Sequence, residues 1–245
     1  MVENPDYKSV GETYKTKARF AQLDMDVFQR LKNLGYQPQV IFDVGASDGS
    51  WSKDIHEVLP AAEFHLFEPL IDHAPAYRAI IQENLRLYPN FRLHPLALGE
   101  KSGQVTMNIF PNLVASSALD LSDTGLDVTT ATVAIATVDE MIASLSLPHP
   151  QVIKIDTQGY ELSILKGAIN TLPRVDILLL ECWLYRGYGK NTPLLTEIIG
   201  WLQILGFRLW DIGDTYRGED DVLATLDCVF VNPRSGISPA WYYTS

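Results

Sequence analysis

Short apolar runs that close on an acidic residue recur along the chain. Residues 39–44 contain Asp43, residues 63–67 lead to Glu68, residues 152–155 lead to Asp156, and residues 175–182 carry Glu181. Runs of this length, bounded by glycine or proline, read as strands, and the unbroken Ile177-Leu178-Leu179-Leu180 implies burial on both faces. Between them the apolar positions change period. Phe20, Leu23, Val27, Leu31 and Leu34 recur at three and four, predicting a helix that ends near Gly35, with Pro38 leading into the next strand. Further helices are predicted at 51–58, with Ser50 as its cap, at 77–87, at 160–168 and at 193–205, with a short one from 137 to 142. A third strand spans 91–98 and ends at Gly99, so strand and helix alternate as in a right-handed parallel half-sheet. Residues 104–110 and 130–136 alternate with period two and bracket a polar loop holding Ser116 and Ser117. They read as an inserted pair of strands whose loop is free to cover a site. Strands at 206–210 and 226–231 finish the pattern, the last of them antiparallel to its neighbours. The class is α/β.

Size and charge narrow the function. A chain of 245 residues has the length of one large α/β domain, with residues 1–19 as a polar arm or lid, 20–232 as the domain and 233–245 as a tail carrying Trp241-Tyr242-Tyr243. The net charge of −11, with no basic cluster beyond Lys15, Lys17 and Arg19, disfavours nucleic acid as a partner. No apolar run approaches the roughly 18 residues of a membrane span, and the first 17 residues show no apolar leader core. Cys182 and Cys228 sit inside strand-like runs, where reduced buried thiols are expected, and the expected location is cytoplasmic. A homo-oligomer stays open.

The chemistry starts at Asp43-Val44-Gly45-Ala46-Ser47-Asp48-Gly49, a strand that opens through two glycines into a helix. Such a corner lets the backbone approach a nucleotide-like cofactor. The dinucleotide pattern G-x-G-x-x-G is not met, and an acid before the first glycine suits a ligand with positive charge. Glu68, ending the second strand, occupies the place from which an acid accepts hydrogen bonds from ribose hydroxyls. The segment resembles the first motif of class I S-adenosylmethionine (SAM) methyltransferases, with Ser47 where that motif has its middle glycine.

The fourth strand carries a more specific resemblance. Lys154-Ile155-Asp156-Thr157-Gln158-Gly159-Tyr160-Glu161, followed by Leu165-Lys166-Gly167-Ala168, is similar to the signature of the FkbM-type methyltransferases. Phe67-Glu68-Pro69, Ala97-Leu98-Gly99, the Ser116-Ser117 loop, Thr137-Val138-Asp139, Leu180-Glu181 and Gly206-Phe207 resemble the same family, from about residue 40 to 231. Asp48 and the Cys182-Trp183 pair depart from its usual apolar character. The resemblance implies a Rossmann-like class I methyltransferase fold, a mostly parallel seven-stranded sheet with helices on both faces and an inserted strand pair. It implies SAM as cofactor and methyl transfer to an oxygen of a small molecule or glycan. Asp43, Gly45, Ala46, Ser47 and Gly49 are then expected at the methionine end, Glu68 and Pro69 at the ribose, and Ala97 and Leu98 at the adenine.

An alcohol acceptor needs its proton removed by a base or a metal. Asp156 is the expected base, with Glu181 second, and Ser116, Ser117 and Tyr185 are expected against the acceptor. At Asp156 and Glu181 no H-x-x-H or D-x-D spacing supports a metal, with or without a histidine such as His94. Two alternatives compete: a nicotinamide-dependent oxidoreductase on the same kind of fold, weakened by the missing glycine fingerprint, and a non-catalytic SAM-binding protein.

Overall fold

Strand β1 (Val40–Val44) is buried along its whole length and forms the centre of the sheet. In the computed structural model, which describes residues 21–126, 128–218 and 221–237, it pairs in parallel with β2 (Glu63–Phe67) on one side and β7 (Val152–Ile155) on the other. Beyond β2 lies β3 (Phe91–His94). Beyond β7 lie β8 (Ile177–Trp183), β10 (Leu223–Val231) and β9 (Arg208–Arg217), giving the order β3-β2-β1-β7-β8-β10-β9. β10 runs antiparallel to both of its neighbours, as the sequence predicts. The seven-stranded, mostly parallel sheet is therefore present.

Period-two alternation sends each strand's side chains to two cores. Phe42, Val44, Ile153, Ile155, Leu178 and Leu180 pack on one face against α4 (Val138–Leu145), α5 (Glu161–Lys166) and α6 (Leu195–Ile204). Ile41, Phe64, Leu66, Val152 and Leu179 pack on the other against α1 (Gln22–Asn33), α2 (Ser50–Val58) and α3 (Pro75–Leu87). Helices thus cover both faces.

Three local expectations are corrected. The strand predicted over 91–98 breaks after His94, where the Leu96 amide donates back to the His94 carbonyl at 2.9 Å. The remainder, β4 (Ala97–Leu98), joins β5 (Gly103–Ile109) and β6 (Thr129–Ala136) in a separate sheet of order β4-β6-β5, so the insertion is a three-stranded unit and not a pair. Along α1, Val27 and Leu31 are buried as predicted, but Leu23 and Leu34 are exposed, and Asp24, Met25 and Phe28 complete the buried face instead. Asp24 turns inward because its carboxylate accepts the indole N–H of Trp51 at 2.8 Å. Finally, Ser50 is the first residue of α2 and not its cap. Gly49 takes the cap position at φ 80°, and Asp48 Oδ1 accepts the Ser50 amide.

Phe20, the 1–19 arm and Trp241-Tyr242-Tyr243 lie outside the described residues. Among the described residues, no helix is long and apolar enough to cross a membrane.

Candidate active site at the sheet's switch point

The strand order reverses between β1 and β7, and it is outside the carboxyl ends of the strands at such a point that open α/β sheets bind ligands. A cavity of about 290 Å³ opens there. Its lining includes the turns after β1 and β2, β4, residues 113–116 and 118 of the insertion, and the ends of β7 and β8.

On the β1–β2 side the backbone is shaped to hold one carboxylate. Glu68 follows β2 and is nearly buried; its Oε2 accepts the Ser47 amide at 2.9 Å and its Oε1 the Leu70 amide at 2.7 Å. Burial raises its pKa to about 7, against the pull of those two amides. Ser47 reaches Glu68 from a left-handed backbone conformation, φ 54°. Gly45 is required by close packing: a Cβ there would stand 2.0 Å from the Asp156 carbonyl oxygen, so the two turns could not approach. Gly49 is required by its φ, and a side chain there would meet Leu66 and Asn84, away from the cavity. Tyr77, at the start of α3, closes this end; burial pushes its phenol to about 12.

Asp43 is completely buried and does not line the cavity. Its Oδ2 accepts the Ser52 hydroxyl at 2.7 Å, and its Oδ1 faces Lys154 Nζ at 3.3 Å. Lys154 in turn lies 3.4 Å from Asp156 Oδ2 and 5.7 Å from the Trp51 ring centre. Burial alone would depress its pKa, but Asp43, Asp156 and Asp227 together hold it above the usual lysine value. One buried ammonium thus ties the first glycine turn to the end of β7.

The β7–β8 side holds two carboxylates. Gln158 Nε2 donates to Asp156 Oδ1 and to Glu181 Oε2, both at 2.9 Å. Burial, followed by repulsion from Asp156 and Glu161, pushes Glu181 well above its ordinary value. Glu161, at the start of α5, is fully buried and shapes the turn between them: its Oε1 accepts the amides of Thr157 and Gly159 at 3.0 and 3.1 Å. Aromatic rings form the next wall. Trp183 meets Tyr188 edge-on with centres 5.2 Å apart, and the half-exposed Tyr185 packs edge-on against Trp183.

The structure brings Ala46, Ser47, Glu68, Pro69, Ala97, Leu98, Ser116, Asp156, Glu181 and Tyr185 to this one cavity, together with Gly45. Gly49 and Ser117 stand outside its lining, as Asp43 does. Ser117 is fully buried, and its hydroxyl donates to the Gln158 carbonyl at 2.7 Å, which fastens the insertion to the β7 turn. His94 lies away from the acids, 2.9 Å from His65 on the neighbouring strand and stacked on Phe67. Burial lowers both imidazoles to about 4. Sequence reasoning missed Tyr77, Gln158 and Tyr188 as parts of the site. The aromatic run after Glu181 is a signal for Tyr188, and Gln158 stands inside the fourth-strand signature, whereas nothing local marks Tyr77.

A sequence model of the family described as "Methyltransferase FkbM domain" matches residues 43–209. Over 176 residues the chain is 26% identical to the hexuronic acid methyltransferase AglP of Haloferax volcanii, covering 71% of this chain and 68% of that one. Its fold is similar to the crystal structure of methyltransferase FkbM from Methylobacillus flagellatus, with a TM-score of 0.51 at 20% identity. That similarity covers 80% of this chain, which spans 43% of the longer protein's length.

Proposed function

The chain belongs to the FkbM methyltransferase family, whose methyl donor is S-adenosyl-L-methionine, and on that premise we propose that it methylates a hydroxyl oxygen of a small molecule or glycan. The observation that carries this reading is the placement of Glu68 on one side of the switch point and of Asp156 with Glu181 on the other, all lining one cavity.

The donor set fits the cofactor. Four acidic side chains, Asp48, Glu68, Asp156 and Glu181, line the cavity, and its one lysine, Lys154, is engaged by two acids, so a cationic ligand meets acceptor oxygens and no uncompensated ammonium. Glu68, with one amide on each oxygen, keeps lone pairs for ribose hydroxyls. Ser47, Ala46 and Gly45 are placed for the amino-acid end, and Leu96, Ala97 and Leu98 offer apolar surface for a flat base. When bound, the cofactor supplies an electrophilic methyl group on a sulfonium.

The residues on the acceptor side have two tasks, to hold the nucleophilic oxygen in line and to take its proton. Asp156 is the base in this reading. It is the more accessible of the pair, and its charged form is supported by Lys154 and by the Gln158 amide. Glu181, driven toward its protonated form, is suited to donate a hydrogen bond that orients the acceptor. The aromatic wall of Trp183, Tyr185 and Tyr188 offers apolar faces to the C–H side of a sugar ring, and the hexuronic acid named for AglP supports a sugar acceptor.

The test is transfer of a labelled methyl from SAM to a panel of sugars, uronic acids and glycolipid extracts, with the product bond assigned by NMR. A methyl ether is the expected product. Label appearing only on nitrogen or carbon would overturn the oxygen assignment.

A further inference from the structure

Gln158 stands between features that the methyl-transfer reading treats separately. Its side-chain nitrogen reaches both acceptor-side carboxylates, Asp156 Oδ1 and Glu181 Oε2, at 2.9 Å each. An amide NH₂ has two protons, so each acid receives one. On the other end, Gln158 Oε1 accepts from the Tyr188 hydroxyl at 3.1 Å, a proton shared with the Ala115 carbonyl at 2.7 Å. The Gln158 main-chain carbonyl accepts the Ser117 hydroxyl at 2.7 Å. Both Ala115 and Ser117 belong to the segment that joins β5 to β6, so the insertion meets Gln158 directly through Ser117 and, by way of the Tyr188 hydroxyl, through Ala115.

The backbone at Gln158 shows that this arrangement opposes local preference. Its φ is 56°, in the left-handed region, where glycine or asparagine would be less strained. Strain of this kind persists where the surroundings hold it in place. Here the surroundings are Glu161 below, which fixes the amides of Thr157 and Gly159, and Ser117 above.

We propose that Gln158 is a positioning residue that sets the spacing of Asp156 and Glu181 and couples both to Tyr188 of the aromatic wall. Without its side chain the two acids lose the group that holds them at a fixed spacing, and the Tyr188 hydroxyl loses one of its two acceptors, while the Ser117 bond to the main-chain carbonyl remains. The proposal rests on the reading of Asp156 and Glu181 as the acceptor-side acids.

The groups facing this pair are Lys154 on β7, Asp227 on β10, Glu161 on α5 and Tyr77 on α3. Hydrogen bonds to a charged carboxylate favour that form, and the Gln158 amide is among the bonds that pull Glu181 down, so losing it raises the titration midpoint of Glu181 further. That shift needs neither acceptor nor cofactor to be read, and so fails or succeeds apart from methyl transfer itself.

The experiment compares the wild type with Gln158→Met, which keeps the side-chain length and removes the polar atoms, and with Gln158→Ala. Carboxyl carbons labelled with ¹³C are followed by NMR titration and assigned through Asp156→Asn and Glu181→Gln. The expected result in Gln158→Met is a Glu181 midpoint higher than in the wild type. S-adenosylhomocysteine affinity should stay within about threefold, as expected for a residue whose bonds run to the acceptor side. An unchanged Glu181 midpoint in both variants, or loss of cofactor binding in both, would overturn the proposal.

Discussion

Lys154 Nζ lies 3.3 Å from Asp43 Oδ1, so the acid that opens the glycine turn is answered by the strand next to it and not by the cavity. Registers place the two residues directly opposite one another on β1 and β7. Removing one partner of a buried pair leaves the other charge uncompensated and costs about 3–5 kcal/mol. Lys154→Met, which strands Asp43, Asp156 and Asp227, should lose about that much in urea unfolding. The double variant Asp43→Asn with Lys154→Met should recover a substantial part. If it is less stable than Lys154→Met alone, the pair is not what holds these turns together.

Glu68 makes both cofactor affinity and stability depend on pH. Its folded pKa of about 7 lies above the ordinary 4.5, so the folded protein holds a proton that the unfolded chain releases between those values. The stabilisation is full below pH 4.5 and lost as pH rises through 7, amounting to roughly 3 kcal/mol for this group at about 1.4 kcal/mol for each pH unit. Glu161, raised to about 7, and Asp24, raised to about 6 by burial, act in the same direction. The cofactor-free protein should therefore melt at a lower temperature at pH 8 than at pH 5.5. Glu68→Gln should flatten part of that slope.

The same residue accounts for cofactor affinity. Glu68→Ala should weaken S-adenosylhomocysteine binding by about 1–3 kcal/mol, the loss of a charged hydrogen-bond acceptor. In the wild type, affinity should rise between pH 6 and pH 8 as the carboxylate ionises. Calorimetry showing equal affinity in wild type and variant would move the ribose contact elsewhere.

Ser117 and its neighbour Ser116 separate on structural grounds. Ser116 lines the cavity, whereas the buried Ser117 hydroxyl holds the Gln158 carbonyl. Ser117→Ala should cost about 1–3 kcal/mol of stability by leaving that carbonyl unsatisfied. Ser116→Ala should raise the Michaelis constant for the acceptor, and it also removes the hydroxyl that accepts the Phe110 amide at 3.3 Å. A melting temperature unmoved by Ser117→Ala would remove this anchor from the account.

Much of this arrangement is legible in the chain because parallel strands are buried on both faces. Val40 to Val44 and Ile177 to Leu180 announce themselves as apolar runs, and acids at their ends stand out against that background. Glu68, Asp156 and Glu181 were visible for that reason. Where the outcome depends on a contact distant in sequence, local pattern is silent. Asp24 is polar yet buried because Trp51, on the next helix, offers an N–H. Leu23 looks like a core residue and is exposed because Asp24 turned the helix inward instead. The predicted strand 91–98 is broken because Ala97 and Leu98 find their partners in Ile135 and Ala136, nearly forty residues away. Gln158 lies inside the fourth-strand signature, but its role is set by Glu181, Tyr188 and Ser117, which no local pattern ties to it.

Lys154 also bears on metal dependence. Its ammonium sits between Asp43 and Asp156, where a divalent cation would otherwise meet the two acids, and among the described residues no cluster of three or more metal-ligating side chains is arranged to hold an ion. Activity should survive dialysis against EDTA. A loss restored only by added Mg²⁺ would recast Asp156 and Glu181 as ligands.

Methyl transfer by Asp156→Asn tests the central claim most directly, measured beside wild type with labelled SAM and an acceptor that the panel identifies. The substitution keeps the shape of the side chain and removes its basicity, so turnover should fall roughly 10²–10⁴-fold, the usual contribution of a positioned base. Cofactor affinity should stay within a factor of a few, and Glu181→Gln should act more mildly, chiefly on acceptor affinity. Turnover of Asp156→Asn equal to wild type, with a methyl ether still formed, would contradict the assignment of the β7 carboxylate as the base.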